Sequence, residues 1–161
     1  MFNGIISFIK LLSSKDKGLY VFIHDLTGFY PKNIELYKLA FVHRSMPVKD
    51  ANGNWVNNER LEYLGDAVLD LVVAAYLYHH YPDKHEGFLT STRAKIVQRE
   101  SLNRIAKLFH LDQHVKASSP PSSHNSYISG NAVEAFVGAI YLDRGYDCAQ
   151  KFIEQKIIRD N

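Results

Sequence analysis

The sequence holds a single cysteine, Cys148, in 161 residues. That excludes an internal disulfide and any cysteine-based zinc cage, and it suits a reducing compartment. Proline (five) and glycine (nine) are too sparse for a disordered or collagen-like chain, while 46% hydrophobic and 22% charged residues are ordinary for a globular one. Charge of one sign is nearly balanced: the net of +2 permits a polyanionic partner without demanding one. No stretch of about 18 consecutive apolar residues occurs, so no membrane span is expected. The N-terminal residues lack a basic leader and meet Lys10 too early for a secretory signal, so the expected location is cytoplasmic. Alternating strand patterns and Asn-Gly hairpins between β-branched runs are nearly missing, so the expected fold class is all-α. Among the eight histidines no pair has zinc spacing with a third ligand, and neither a glycine-rich phosphate loop nor a nucleophile elbow is present. Any chemistry is left to carboxylates and hard cations.

What is present is helical periodicity along one domain's length. The pattern predicts helices over 2–13, as an N-terminal edge within 1–18, then over 19–27 and over 34–43 with Leu36, Leu39, Ala40 and Val42 inward. Residues 46–56 read as a loop broken by Pro47, Asn52 and Gly53. A long helix follows to about Tyr81, with Asn57 or Asn58 as its cap, then helices over 88–97, 100–109 and 131–142. The polar stretch 117–127, with Pro120-Pro121 and several serines, reads as a flexible loop.

The long helix organises the chain. At about 100° per residue, Glu59, Glu62, Asp66 and Asp70 fall within roughly 80° of one another. Leu61, Leu64, Val68, Leu71, Val72 and Ala75 are expected to form the core stripe opposite. The acids are either a solvated face or part of a site. No Lys or Arg four residues on neutralises them, and like charges at this spacing repel by a few tenths of a kcal/mol. Glu59 and Glu62 also suit the helix dipole, which leaves Asp66 and Asp70 unexplained. Tyr63 lies on the acid side, where a plain surface helix has little use for an aromatic.

In the helix over 131–142, apolar nearly all round, Glu134 is the only charge. A carboxylate there costs several kcal/mol unless a proton, a cation or a metal compensates it. Two compensations stay open, pairing with an arginine such as Arg60, or hard-cation ligation together with Asn131. Asn131, Glu134 and Gly138 share one face, where the glycine lets a backbone or ligand come close. Arg93, Lys95 and Arg99, among Thr90, Ser91 and Thr92, form either a phosphate-contacting face or a solvated basic one.

The segment Asn58-Glu-Arg-Leu-Glu-Tyr-Leu-Gly-Asp-Ala-Val68 resembles the signature of the ribonuclease III family. Ala40-Phe-Val-His-Arg-Ser45 ahead of it, and Arg93-Ala-Lys-Ile-Val97 and Asn131 to Asp143 after it, are similar to further family segments in family order. The resemblance spans roughly residues 20–160. It implies an all-α endonuclease domain, a homodimer that cuts both strands of double-stranded RNA with Mg²⁺, for which Mn²⁺ can substitute. Glu62, Asp66 and Glu134 match the family's metal-binding acids, with Asp66 and Glu134 at the catalytic centre. Glu59 matches a glutamate assigned to the catalytic valley and RNA contact, and Tyr63 an aromatic inserted into the partner subunit. Asp70 receives no role from it. The family usually has Asp where this chain has Asn131, so a weaker metal site is expected. A catalytically weak or silent scaffold for structured RNA is the alternative. No double-stranded-RNA-binding domain is expected within these residues, and the signature resembles the longer family members, as if the chain were truncated.

Overall fold

The computed structural model describes residues 15–118 and 127–159. The helix expected over 2–13 lies outside the described residues, as does 119–126 of the expected loop. We label the elements α1 (Lys17–Thr27), α2 (Ile34–Ala40), β1 (Val48–Lys49), β2 (Trp55–Val56), α3 (Glu59–His80), α4 (Glu86–Val97), α5 (Arg99–Leu108), α6 (Tyr127–Arg144) and α7 (Tyr146–Phe152). A 3₁₀ turn (Leu111–His114) follows α5, and α7 widens into a π turn (Ile153–Ile158). The architecture is the expected all-α one.

Helix α6 is the hub. Ala132, Val133, Ala135, Phe136, Val137, Ala139 and Ile140 are all fully buried, as an apolar circumference requires. Helices α2, α3, α5 and α7 pack around it. Phe136 meets Tyr37, Phe41 and Phe152 at ring-centroid distances of 5.5 to 5.9 Å. At the far end of α6 the buried Asp143 accepts from the N–H groups of Lys32 and Asn33 (3.0 and 2.7 Å) and from the Tyr37 hydroxyl (3.1 Å). It thereby satisfies backbone donors at the start of α2 that would otherwise be orphaned.

Several expectations are corrected. Residues 46–56 contain an antiparallel hairpin pairing Val48 with Val56 and Lys49 with Trp55. Its strands are two residues long, too short to alternate. Asp50 accepts from the N–H groups of Asn52 and Asn54, and Gly53 supplies the left-handed residue (φ 84°). Helix α2 ends at Ala40; Tyr37 and Ala40 are fully buried and Val42 is buried beyond its end, whereas Leu36 and Leu39 are only half-buried. Of the two expected caps of α3, Asn58 holds the N-cap position without a side-chain cap bond, its buried amide donating to the Ala40 carbonyl, while Asn57 Oδ1 accepts the Glu59 N–H at 2.9 Å. The core stripe of α3 is also rotated. Leu71 is 57% exposed and Leu64 and Ala75 are half-buried, whereas Gly65, Leu69, Val73 and Leu77 join Leu61, Val68 and Val72 inside. The buried band thus borders the acids instead of opposing them. The expected loop over 117–127 is tethered at its start, where Lys116 bridges Val42 and Ser118 donates to Ser45 Oγ, and Tyr127 already belongs to α6.

Candidate active site

The site exists because α3 and α6 touch backbone to backbone. A Cβ on Gly65 would fall inside the Glu134 carbonyl, and one on Gly138 would overlap the Leu61 carbonyl. The closeness expected at Gly138 is therefore backbone approach. On α3, Glu62 and Asp66 directly follow the contact residues Leu61 and Gly65; on α6, Glu134 is itself at the contact and Asn131 lies about one turn before it. These four line one cavity of about 450 Å³, together with Glu59, Tyr63, Arg99 and Gly130.

The electrostatics follow from that crowding. Burial first, and then the charges of Asp66 and Glu62, push the Glu134 carboxyl up to about 7, while Arg99 opposes. Glu62 is raised chiefly by burial, with a polar contact from Asn131 working the other way. Asp66 is raised by burial and then by Asp70. Three carboxyls held above their ordinary range in one recess, each chiefly by burial and further by the charge of a neighbouring acid, mark a functional site with a physical reason.

Glu59 sits exposed at the rim, its carboxylate 3.6 Å from Arg44 Nη1 and 3.1 Å from the Asn57 amide. Tyr63 is 82% exposed and borders both the cavity and an apolar groove of about 1000 Å³ running past Trp55, Leu36, Leu39 and Leu142. Arg60 lines that groove and not the carboxylate cavity; the cation beside Glu134 is Arg99. Arg93 and Lys95 lie outside the cavity, Lys95 in a separate groove with Tyr76, Tyr81 and Arg104. Arg44 was not separable by sequence from other surface arginines, since a loop brings it to the site; of the expected basic face, Arg99 lines the cavity and Arg93 and Lys95 do not. As they stand, no three acid, imidazole or thiol groups among the described residues converge on one ion position. The donor set nevertheless suits a hard divalent cation. It offers three carboxylates and an amide oxygen, and the carboxyls' raised values are the condition a cation relieves.

Comparisons with known proteins bear on the family and the fold. A family model described as Ribonuclease-III-like matches residues 33–161. The chain is 52% identical over 158 residues to Ribonuclease 3 of Bacteroides fragilis, covering 98% of this chain and 54% of the relative. It is 53% identical over 158 residues to Ribonuclease 3 of Phocaeicola vulgatus, covering 98% and 51%. The solved nuclease domain of ribonuclease III from Campylobacter jejuni, described for flexibility in a region involved in dimer formation, superposes with a TM-score of 0.74 at 33% identity. It covers 86% of this chain and 95% of that one. The fold is thus that of a ribonuclease nuclease domain. The chain belongs to the ribonuclease III family. It spans about half the length of these curated relatives.

Proposed function

We propose that the chain is a metal-dependent endoribonuclease that hydrolyses double-stranded RNA as a homodimer, leaving 5′-phosphate and 3′-hydroxyl ends with short 3′ overhangs, in RNA processing. The observation that carries this reading is that Glu62, Asp66 and Glu134, all with raised carboxyls, line one cavity beside Asn131. These four residues would hold Mg²⁺, or Mn²⁺ in its place. When bound, the ion supplies an activated water and stabilisation of the leaving 3′ oxygen. Asp66 and Glu134 face the reacting phosphate from opposite helices. The α3–α6 crossing fixes their separation, so little reorganisation is needed on binding. Glu59, Arg93 and Lys95 are assigned to RNA contact, largely through phosphates and 2′-hydroxyls, so little sequence specificity follows. Tyr63 is assigned to the partner subunit, consistent with its exposure at the apolar groove. The single cysteine fits a cytoplasmic setting.

Asn131 favours one other reading, a silent RNA-binding scaffold, because it removes a negative charge from the site. Incubation of a long RNA duplex with the protein, with and without Mg²⁺, separates the two. We expect Mg²⁺-dependent cleavage that falls by at least about a hundredfold in Glu134→Gln. Equal, negligible cleavage by wild type and Glu134→Gln would leave the scaffold.

A further inference from the structure

Beside the carboxylate cavity lies a second recess of about 330 Å³, lined by Arg44, Glu62, Arg99, Tyr127 and Asn131. It shares Glu62, Arg99 and Asn131 with the cavity, so the two are continuous. We propose that Arg44 and Arg99 together grip one backbone phosphate of the RNA, adjacent to the one being cleaved, and so set the strand's register over the carboxylates. This rests on the endoribonuclease reading above.

Each guanidinium is delivered by an anchored segment. Arg44 follows His43, whose N–H donates to the Lys116 carbonyl at 3.0 Å, and the Lys116 N–H donates back to Phe41 at 2.8 Å. On Arg44's other side the Ser45 hydroxyl accepts the Ser118 N–H at 3.0 Å. Arg99 opens α5, which is fastened to the first turn of α6 by Asn103 Oδ1 accepting the Gly130 N–H at 2.9 Å. Gly130 permits this: a Cβ there would stand 3.2 Å from Asn103 Oδ1 and 3.9 Å from the Arg99 carbonyl.

Among the described residues, neither arginine is consumed by a partner. Arg44 has one contact with a carboxylate, Glu59 at 3.6 Å, with both side chains exposed, a geometry that contributes little. Arg99 forms no ion pair with any described residue. A nuclease cavity walled by acids repels the polyanion it must admit. Two cations at its edge offset that repulsion without occupying the metal position. Guanidinium is the group suited to this, because its planar fork binds a phosphate through two N–H donors at once. Tyr127, whose ring lies 6.1 Å from that of the buried His43, adds a hydroxyl donor to the same recess.

The test measures duplex-RNA affinity in EDTA across a series of salt concentrations, for wild type, Arg44→Ala, Arg99→Ala and the double variant. Cleavage in Mg²⁺ and thermal unfolding are followed for the same proteins. Each single variant should bind roughly tenfold to a hundredfold more weakly. Each should also flatten the slope of log K against log salt by about one. Because one phosphate is shared, the double variant should lose about one, not two. KM should rise more than kcat falls, since the grip is equal in ground and transition states. A merely structural role would lower Tm and leave the salt slope unchanged. An unchanged slope, or a loss of two in the double variant, overturns the shared-phosphate site. If wild type cleaves but the slope stays constant, only the arginine proposal falls. If the slope shifts but nothing is cleaved, the enzymatic reading falls and the phosphate site stands. Absence of duplex binding by wild type overturns both.

Discussion

Glu134 is where sequence, packing and chemistry meet. Its carboxyl sits at about 7 against an ordinary 4.5, so the fold favours the protonated form. Between those values the folded chain binds more protons than the unfolded one, and metal-free stability must fall as pH rises from about 4.5 to 7. Discounted for partial solvent screening, the loss is roughly 1–2 kcal/mol. Thermal unfolding in EDTA should therefore give a Tm that declines over this window. Glu134→Gln should flatten the decline and raise Tm at pH 8, and Mg²⁺ should no longer add stability to it. A pH-independent wild-type Tm in EDTA would contradict the assignment. Asn131→Asp works in the opposite sense. It adds a fourth carboxylate to the proposed ligand set, so metal-free Tm at pH 8 should drop while the Mg²⁺ concentration for half-maximal stabilisation falls several-fold. Titration calorimetry with Mg²⁺ reads the affinity directly.

At the scale of elements, the α3–α6 crossing decides both stability and site geometry. A methyl on Gly65 would displace the Glu134 backbone itself, and a close-packed interior cannot absorb that with a rotamer change. Gly65→Ala should cost roughly 3 kcal/mol or more, and Gly138→Ala a comparable amount against the Leu61 carbonyl. Gly87→Ala in α4, where a Cβ meets nothing within 4 Å, should be neutral or stabilising by up to about 1 kcal/mol. Chemical denaturation of the three variants checks the contrast. The same crossing explains what the sequence could and could not reveal. The acidic stripe of α3 and the lone Glu134 stood out because acids clustered on one helix and alone on another are costly patterns, but choosing Glu62 and Asp66 from the four acids of the stripe rested on the family resemblance. The direction of the α3 core stripe was not legible, because it is set by Gly65, a residue with no hydrophobic side chain to count. That is why Leu71 was placed inside and Leu69 was passed over. The β1–β2 hairpin was missed because two-residue strands leave no period to read. Tyr37 was missed because its burial depends on Asp143, more than a hundred residues away.

At the scale of the whole molecule, the described residues present an apolar face with large side chains exposed. Trp55 is 67% exposed and Tyr63 82%, and both border the groove that continues past Leu36, Leu39 and Leu142. Among the described residues no helix is long and apolar enough to cross a membrane, so lipid-spanning helices do not explain this surface. Contiguous apolar exposure of this kind marks an interaction site. Tyr63 also lines the carboxylate cavity, which ties the surface to the candidate chemistry. A second copy on this face would bring a second carboxylate cavity near the first, as two cuts in one duplex require. Dimerisation that stabilises the fold makes Tm depend on protein concentration. Wild type should therefore sediment as a dimer, with Tm rising as protein concentration is raised. Tyr63→Asp places a charge on the apolar face while removing little intrachain packing. It should sediment as a folded monomer with a concentration-independent Tm and cleave duplex RNA at least about tenfold more slowly. A Tyr63→Asp protein that stays dimeric, or a wild type that is monomeric at micromolar concentration, would remove the groove from the interface and leave Tyr63 as a rim residue of the cavity alone.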